Sequence, residues 1–429
     1  MDADVAIVGA GSAGAAAALL CARRGLAVVC LDRRRLDAAG ARWINAVPGW
    51  CFDEAGLARP TPPELVAEHF AVNLVAPGGA QRVVLRGHDV LHVDMRALVR
   101  RLQRGARTAG AVLAGGVRVE AVTGDVLRTS RGPVRARWFV DAGGVDGPRL
   151  LGQPAPAADD LCSAAQQVRD VTDAAAARAF FRAHDVEPGD TLSLAGVAGG
   201  YSALDLRLHA DDHMSILCGT LPALGHRPAP RLLADFVATQ PWIGARRYGG
   251  ARLIPLRRPY DRLAEGPVAA LGDAACQVFP GHGSGVGLGL VAARLLADAL
   301  ADGAGPWPYA VAWQRRYGGL AAAYGLLRRF AQALPPGALG RLMAAGLLDA
   351  ETVRPGLEQR LPRLAPAAVP GKLWALRGAP LLGARLVATA ARLASVPPVY
   401  ARYPRDPRRV AAWARVAAAL TGGAVDPAA

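Results

Sequence analysis

The stretch "DVAIVGAGSAGAAAALLCARRGLAVVCLD", residues 4–32, constrains this chain more than any other. "VAIVG" is a short apolar run suited to a buried parallel strand, and Gly9, Gly11 and Gly14 follow it in GxGxxG spacing. In such a unit the first glycine allows a tight turn and the second lets backbone approach a pyrophosphate. The third lets the helix pack close to the strand. "AGAAAALLCARRG" favours a helix, whose N-terminus points partial positive charge at phosphates. "LAVVCLD" reads as the next strand, with Asp32 at its end placed to hold a ribose hydroxyl pair. Strand, glycines, helix, strand and acid occur in the right order, which predicts a dinucleotide site at the head of an α/β fold. They do not say whether the dinucleotide is a nicotinamide or a flavin.

A second segment separates the two. "GPVAALGDAACQVFPGHGSGVGLGLVAARLLADAL" predicts a strand over 268–271, then Gly272-Asp273, a glycine-rich loop and a long helix. Asp273 at a strand end can accept from ribitol hydroxyls, while Gly283 and Gly285 let backbone amides approach a flat ring edge. A nicotinamide needs no second loop of this kind. A flavin, with its ribityl chain and tricyclic ring, does.

Four segments together resemble flavoproteins of the para-hydroxybenzoate hydroxylase type, which include aromatic hydroxylases, flavin halogenases, geranylgeranyl reductases and lycopene-cyclase-like enzymes. They are the N-terminal unit to Asp32, "VDMRALVRRL" around Arg96, "ARWFVDAGGVDGPRLLG" over 136–152, and the Gly272-Asp273 segment with Pro280, Gly283 and Gly285. The resemblance covers about the first three hundred residues and implies non-covalent FAD. It also implies that Arg96 approaches the flavin's phosphate and ribityl region, that Asp273 holds the ribitol, and that Pro280, Gly283 and Gly285 face the ring. Two departures stand out. The middle motif is rearranged to "AGGVDGPR", keeping Arg149. The glycine loop has His282 and Ser284 where threonine and glutamate are common.

The implied architecture is a Rossmann-like FAD-binding domain with an antiparallel-sheet substrate domain and a helical C-terminal region. The FAD-binding domain is read as discontinuous, 1–155 with 250–318, around a substrate domain over 156–249. The segment at about 65–92, with its "PGG" turn, is expected to join the substrate sheet, and 319–429 is expected to be helical. "LAAAYGLLRRFAQAL" puts Leu320, Tyr324, Leu327 and Ala331 on one helical face, and "LPPG", "LPRLAPAAVPG" and "SVPPVY" punctuate the helices. In the family such helices often accompany long apolar substrates.

The formal charge of +15 invites a nucleic-acid reading. Lys372 is the only lysine, so 49 of the 50 basic residues are arginine. These are spread along the chain rather than gathered beside aromatic residues, which argues against nucleic acid as a partner. Weak peripheral contact with an anionic membrane stays open. Cys21, Cys30, Cys51, Cys162, Cys218 and Cys276 show neither CxxC spacing nor a small disulfide framework, so reduced thiols in a cytoplasm are expected. No signal peptide or uncharged membrane-spanning run is read in the sequence. "HADDH", His209 to His213, lies in a turn pattern, and no metal site is expected.

Two residues are candidates for chemistry. His282 sits in the loop expected to face the isoalloxazine, where an imidazole can exchange a proton at neutral pH. Cys51 in "NAVPGWCF" falls in a segment that approaches flavin and substrate in the family. Its bland alternative is inert packing, as for Cys276. Trp43 and Trp50 either line an apolar pocket or fill core. An aromatic-x-Trp-x-aliphatic/aromatic-Pro stretch carried by halogenases and many prenyl reductases of the family is reduced to "YSALDL", with Ala203 in place of tryptophan and Leu206 in place of proline, and halogenation is not expected. The reading is an FAD-dependent oxidoreductase acting on a bulky apolar small molecule, with geranylgeranyl-reductase-like C=C reduction preferred. Monooxygenation, a non-redox cyclase and a structural FAD-binding protein are the alternatives. No second GxGxxG unit is present, so NAD(P)H would bind only transiently as reductant.

Overall fold

The computed structural model describes residues 2–210, 212–335, 337–362, 371, 372, 374, 377 and 380–426. Asp2–Val8 is a strand flanked in parallel by Val28–Asp32 on one side and Val134–Asp141 on the other. The sheet extends in parallel through Val112–Gly115 on one side and Val268–Ala270 on the other, where Ala264–Glu265 adds a short antiparallel edge. Strands buried on both faces read as continuous apolar runs, and "VVCLD" is buried throughout. The Ser12–Ala22 helix packs between this sheet and the Val286–Ala301 helix, and its alanines allow close approach without voids.

A mostly antiparallel sheet, in which only Thr191–Ala195 and Val72–Val75 pair in parallel, stands beside this unit. Its strand order is Ile243–Pro255, Leu161–Val171, His213–Thr220, Ala203–Leu208, Thr191–Ala195, Val72–Val75 and Arg82–Leu85. The period-two pattern divides its faces. Leu204, Leu206 and Leu208 join a core with Phe181, Leu233 and Trp242, whereas Ala203 and Asp205 turn to a cavity on the opposite side. The 65–92 segment splits in two, which corrects the sequence reading. Val72–Val75 and Arg82–Leu85 enter the larger sheet, but Val90–Asp94 lies between Ile44–Pro48 and Leu65–Ala67 in a separate three-stranded sheet.

Helices follow. Gly319–Gln332 packs Ala322, Ala323 and Leu326 on Val396, Tyr400 and Trp413, and turns Tyr324, Leu327 and Ala331 to the cavity. "SVPPVY" does not interrupt the chain there. Pro397 and Pro398 lie inside the Pro380–Ala401 helix, where buried Val396 and Tyr400 hold it against Gly319–Gln332 despite the lost backbone donors. "LPRLAPAAVPG" falls mostly outside the described residues.

Candidate functional site

A cavity of about 900 Å³ runs from the turn after the first strand to the antiparallel sheet and the C-terminal helices. At its nucleotide end lie Gly9, Gly11, Ser12 and Asp32. Gly9 has φ +100°, and a Cβ there would stand 2.3 Å from the Ala142 carbonyl oxygen, so only glycine fits. A Cβ on Gly14 would meet the Gly9 carbonyl oxygen at 1.8 Å, which is the close packing of helix on strand. The two Asp32 carboxylate oxygens accept from the Ala10 and Arg34 amides, each at 2.8 Å. That fixes the carboxylate at the strand end, facing the groove with lone pairs to spare.

The middle of the cavity is bounded by Asp273, Gly281, His282, Gly283, Ser284 and Gly285. Gly283 is left-handed, φ +73°. Gly285 has an ordinary helical conformation. A Cβ there would lie 2.8 Å from Asp273 Oδ1, so its smallness clears the carboxylate next to it. Asp273 is half-buried, and desolvation pushes its carboxyl up, opposed by the Arg252 guanidinium. Pro280 does not line the cavity. Its carbonyl accepts from the Tyr201 hydroxyl at 2.8 Å, tying the glycine loop to the antiparallel sheet.

Three other expectations change. Arg96 is not among the cavity-lining residues. Its guanidinium pairs with Asp94, the cap of its own helix, at 2.7 Å and lies 3.3 Å over the Tyr248 ring. Arg252 takes the place by the groove, near Arg34, Arg33 and Asp273, and donates to the Gly40 carbonyl. Nothing in the sequence sets Arg252 apart from the other arginines. Only the pairing of its strand turns it inward. Cys51 is fully buried in the Gly49–Ala55 helix, against Gly287, and does not line the cavity. Burial pushes its thiol well up, so it is an inert packing group.

His282 does line the cavity, with its ring tilted against Phe279 at 4.9 Å between ring centres. Desolvation by the surrounding protein pushes the imidazole down to about 4, against opposing hydrogen bonds to its own backbone and that of Leu357, while part of the side chain stays exposed. That direction favours the neutral ring at pH 7, a poorer proton donor than an imidazolium. Trp43 lines the cavity, while Trp50 stacks on Tyr317 and donates to the Glu358 carbonyl. Asp211 of "HADDH" lies outside the described residues, and among the described residues no cluster could hold a metal. Among them, no helix is long and apolar enough to cross a membrane.

The far wall is apolar. Leu327, Phe330, Leu334, Leu339, Leu342 and Leu347 line it from the helical region, opposite Val72, Leu74 and Leu85 of the sheet. The left-handed cradle at Gly9, the fixed Asp32 carboxylate and the clearance at Gly283 and Gly285 together suit an extended FAD, from pyrophosphate to ring.

Residues 2–149 match the FAD binding domain family model. Over 174 residues the chain is 27% identical to the digeranylgeranylglycerophospholipid reductase of Sulfolobus acidocaldarius. That match spans 39% of this chain and 38% of the relative, so the chain matches well under half of that protein's length. A geranylgeranyl bacteriochlorophyll reductase-like structure from Thermoplasma acidophilum superposes with TM-score 0.70 at 17% identity, over 90% of this chain and 99% of that one. A Pseudomonas aeruginosa protein, called a probable FAD-dependent monooxygenase, superposes with TM-score 0.56 at 18% identity, over 78% and 97% of the two chains.

Proposed function

We propose that this chain, whose residues 2–149 match the FAD binding domain family and whose fold is shared with geranylgeranyl-reductase-like and FAD-dependent monooxygenase structures, is an FAD-dependent oxidoreductase that reduces a C=C bond of a bulky apolar small molecule. One observation carries the reading. The cofactor groove and the apolar space walled by Leu327, Phe330, Leu334 and Leu342 are one continuous cavity. A small polar aromatic would leave most of that wall unfilled, whereas an isoprenoid-like chain buries it.

In this reading the amides from Gly9 to Ser12 would hold the pyrophosphate and Asp32 the ribose. Asp273 and Arg252 would flank the ribityl chain, and the loop from Gly281 to Gly285 would meet the ring. Bound as FADH2, the cofactor would supply both electrons and both hydrogens of the reduction, and a transient NAD(P)H-type donor with a proton from solvent would restore them. The chain's own residues do the rest. The Leu and Phe wall excludes water and lays the substrate along the sheet, and the Tyr201 to Pro280 bond holds the glycine loop in register with that sheet.

The test is incubation of the photoreduced, FAD-bound protein with isoprenoid alkenes under anaerobic conditions, followed by mass spectrometry. A product heavier by two hydrogens is expected. A product formed only in air and heavier by one oxygen would replace this reading with monooxygenation.

A further inference from the structure

The antiparallel sheet presents one carboxyl to the apolar part of the cavity. Asp205 alternates with Leu204 and Leu206 on the Ala203–Leu208 strand and lines the cavity. Ser193 is directly opposite on one neighbouring strand and Leu217 on the other, with Leu74 beside Ser193 on the next strand. The carboxyl has the Ser193 hydroxyl within reach, but Asp205 Oδ1 is buried without a hydrogen-bond partner among the described residues. Thr191 Oγ1, on the same sheet face and also lining the cavity, is likewise buried and unpartnered. A buried polar atom left unpaired is costly, and a chain that needed only packing here would place an aliphatic residue. Two orphaned oxygens on adjacent strands, both at the cavity wall, point to a group that arrives with the ligand.

We infer that Asp205, Ser193 and Thr191 form an anchoring subsite for a neutral hydroxyl carried by the otherwise apolar substrate. The inference rests on the reading of this cavity as a substrate pocket. Charge chooses among the possible head groups. An anion such as a phosphate or carboxylate would face the Asp205 carboxyl. A cation would share the cavity with the buried Arg328 guanidinium, and Arg207, two residues further along the strand, lies 4.4 Å over the Phe70 ring that also lines it. Either ion would also leave water for a wall of leucines. A hydroxyl avoids all three penalties, because it donates to Asp205 and accepts from Ser193 or Thr191. Burial pushes the Asp205 carboxyl up to about 6, as its desolvated setting requires.

The experiment is equilibrium binding of a matched pair, a C20 isoprenoid alcohol and its methyl ether, to the purified FAD-bound protein by calorimetry. The wild type should bind the alcohol at least about tenfold more tightly, the scale of a hydrogen bond to a charged group. Asp205→Leu should remove that preference while still binding the ether, and Asp205→Asn should restore part of it. The thermal midpoint should rise in Asp205→Leu, since a lone buried carboxyl is gone. A carboxyl that served only the fold would lower it. Equal binding of alcohol and ether by the wild type overturns the subsite and leaves the reductase reading standing. Retained preference in Asp205→Leu overturns it too. If FAD is retained and neither compound binds, the apolar-substrate reading fails and the subsite fails with it.

Discussion

The two ends of the cavity treat polar atoms in opposite ways. At the nucleotide end, Asp32 already has both oxygens on backbone amides, and the turn around it has only glycine-compatible clearances. At the substrate end, Asp205 Oδ1 and Thr191 Oγ1 are buried with no partner among the described residues. The first end is finished before its ligand arrives, which suits a cofactor held through every turnover. The second is left incomplete, which suits a molecule that enters and leaves. A site's permanence can thus be read from whether the protein satisfies its own polar groups.

Substitutions can break or sharpen this contrast. The largest effect should come from Gly9→Ala, which forces a Cβ to 2.3 Å from the Ala142 carbonyl oxygen at φ +100°. We expect about 3 kcal/mol or more of lost stability and a colourless protein, measured by urea unfolding and flavin absorbance. A yellow Gly9→Ala protein of normal stability would show that this end is not preorganised. Asp32→Ala comes next. Flavin titration should show FAD affinity lowered by about 1–3 kcal/mol, from lost charge-assisted hydrogen bonds.

Asp205→Asn should act in the opposite direction. A carboxyl raised to about 6 in the folded protein, against 3.8 as its ordinary value, binds protons more tightly folded than unfolded. Its stabilising contribution is therefore complete below the unfolded value and is lost as pH rises through about 6. The variant should be more stable than wild type by about 1–2 kcal/mol at pH 8, with the gain shrinking toward pH 4 in denaturant titrations. A pH-independent difference would remove Asp205 from the contrast.

The smallest effect is expected at His282. A proton donor there would be worth about 10²–10⁴-fold in turnover. Because its imidazole is pushed down to about 4, His282→Ala should change turnover per bound FAD by less than about tenfold at pH 7. Its charge matters only in acid. The unfolded chain protonates this histidine first, so its contribution favours the unfolded state as pH falls from 6.5 toward 4. A hundredfold loss of turnover with full flavin occupancy would return the histidine to the mechanism.

The sequence by itself determined the nucleotide end. Gly9, Gly11, Gly14 and Asp32 fall within one strand-turn-helix-strand unit, where local spacing dictates geometry, and the Gly272-Asp273 segment repeats that logic. It also indicated a helical region with Tyr324, Leu327 and Ala331 on one face, because helical periodicity is local. The remaining site needed tertiary structure. Arg96 carries the expected residue type, yet its own cap Asp94 and Tyr248 claim the side chain, while Arg252 reaches the groove from a strand with no distinguishing motif. Burial makes Cys51 a packing group, and desolvation by its surroundings holds the His282 imidazole down, since a pKa depends on what surrounds a group. Asp205 carried no signal of its own in the sequence. Its meaning came from strand register, which sets the carboxyl facing a cavity closed by helices more than a hundred residues away. Spacing along a chain fixes what neighbours in sequence can do together; desolvation and long-range pairing are set by atoms the local sequence does not contain.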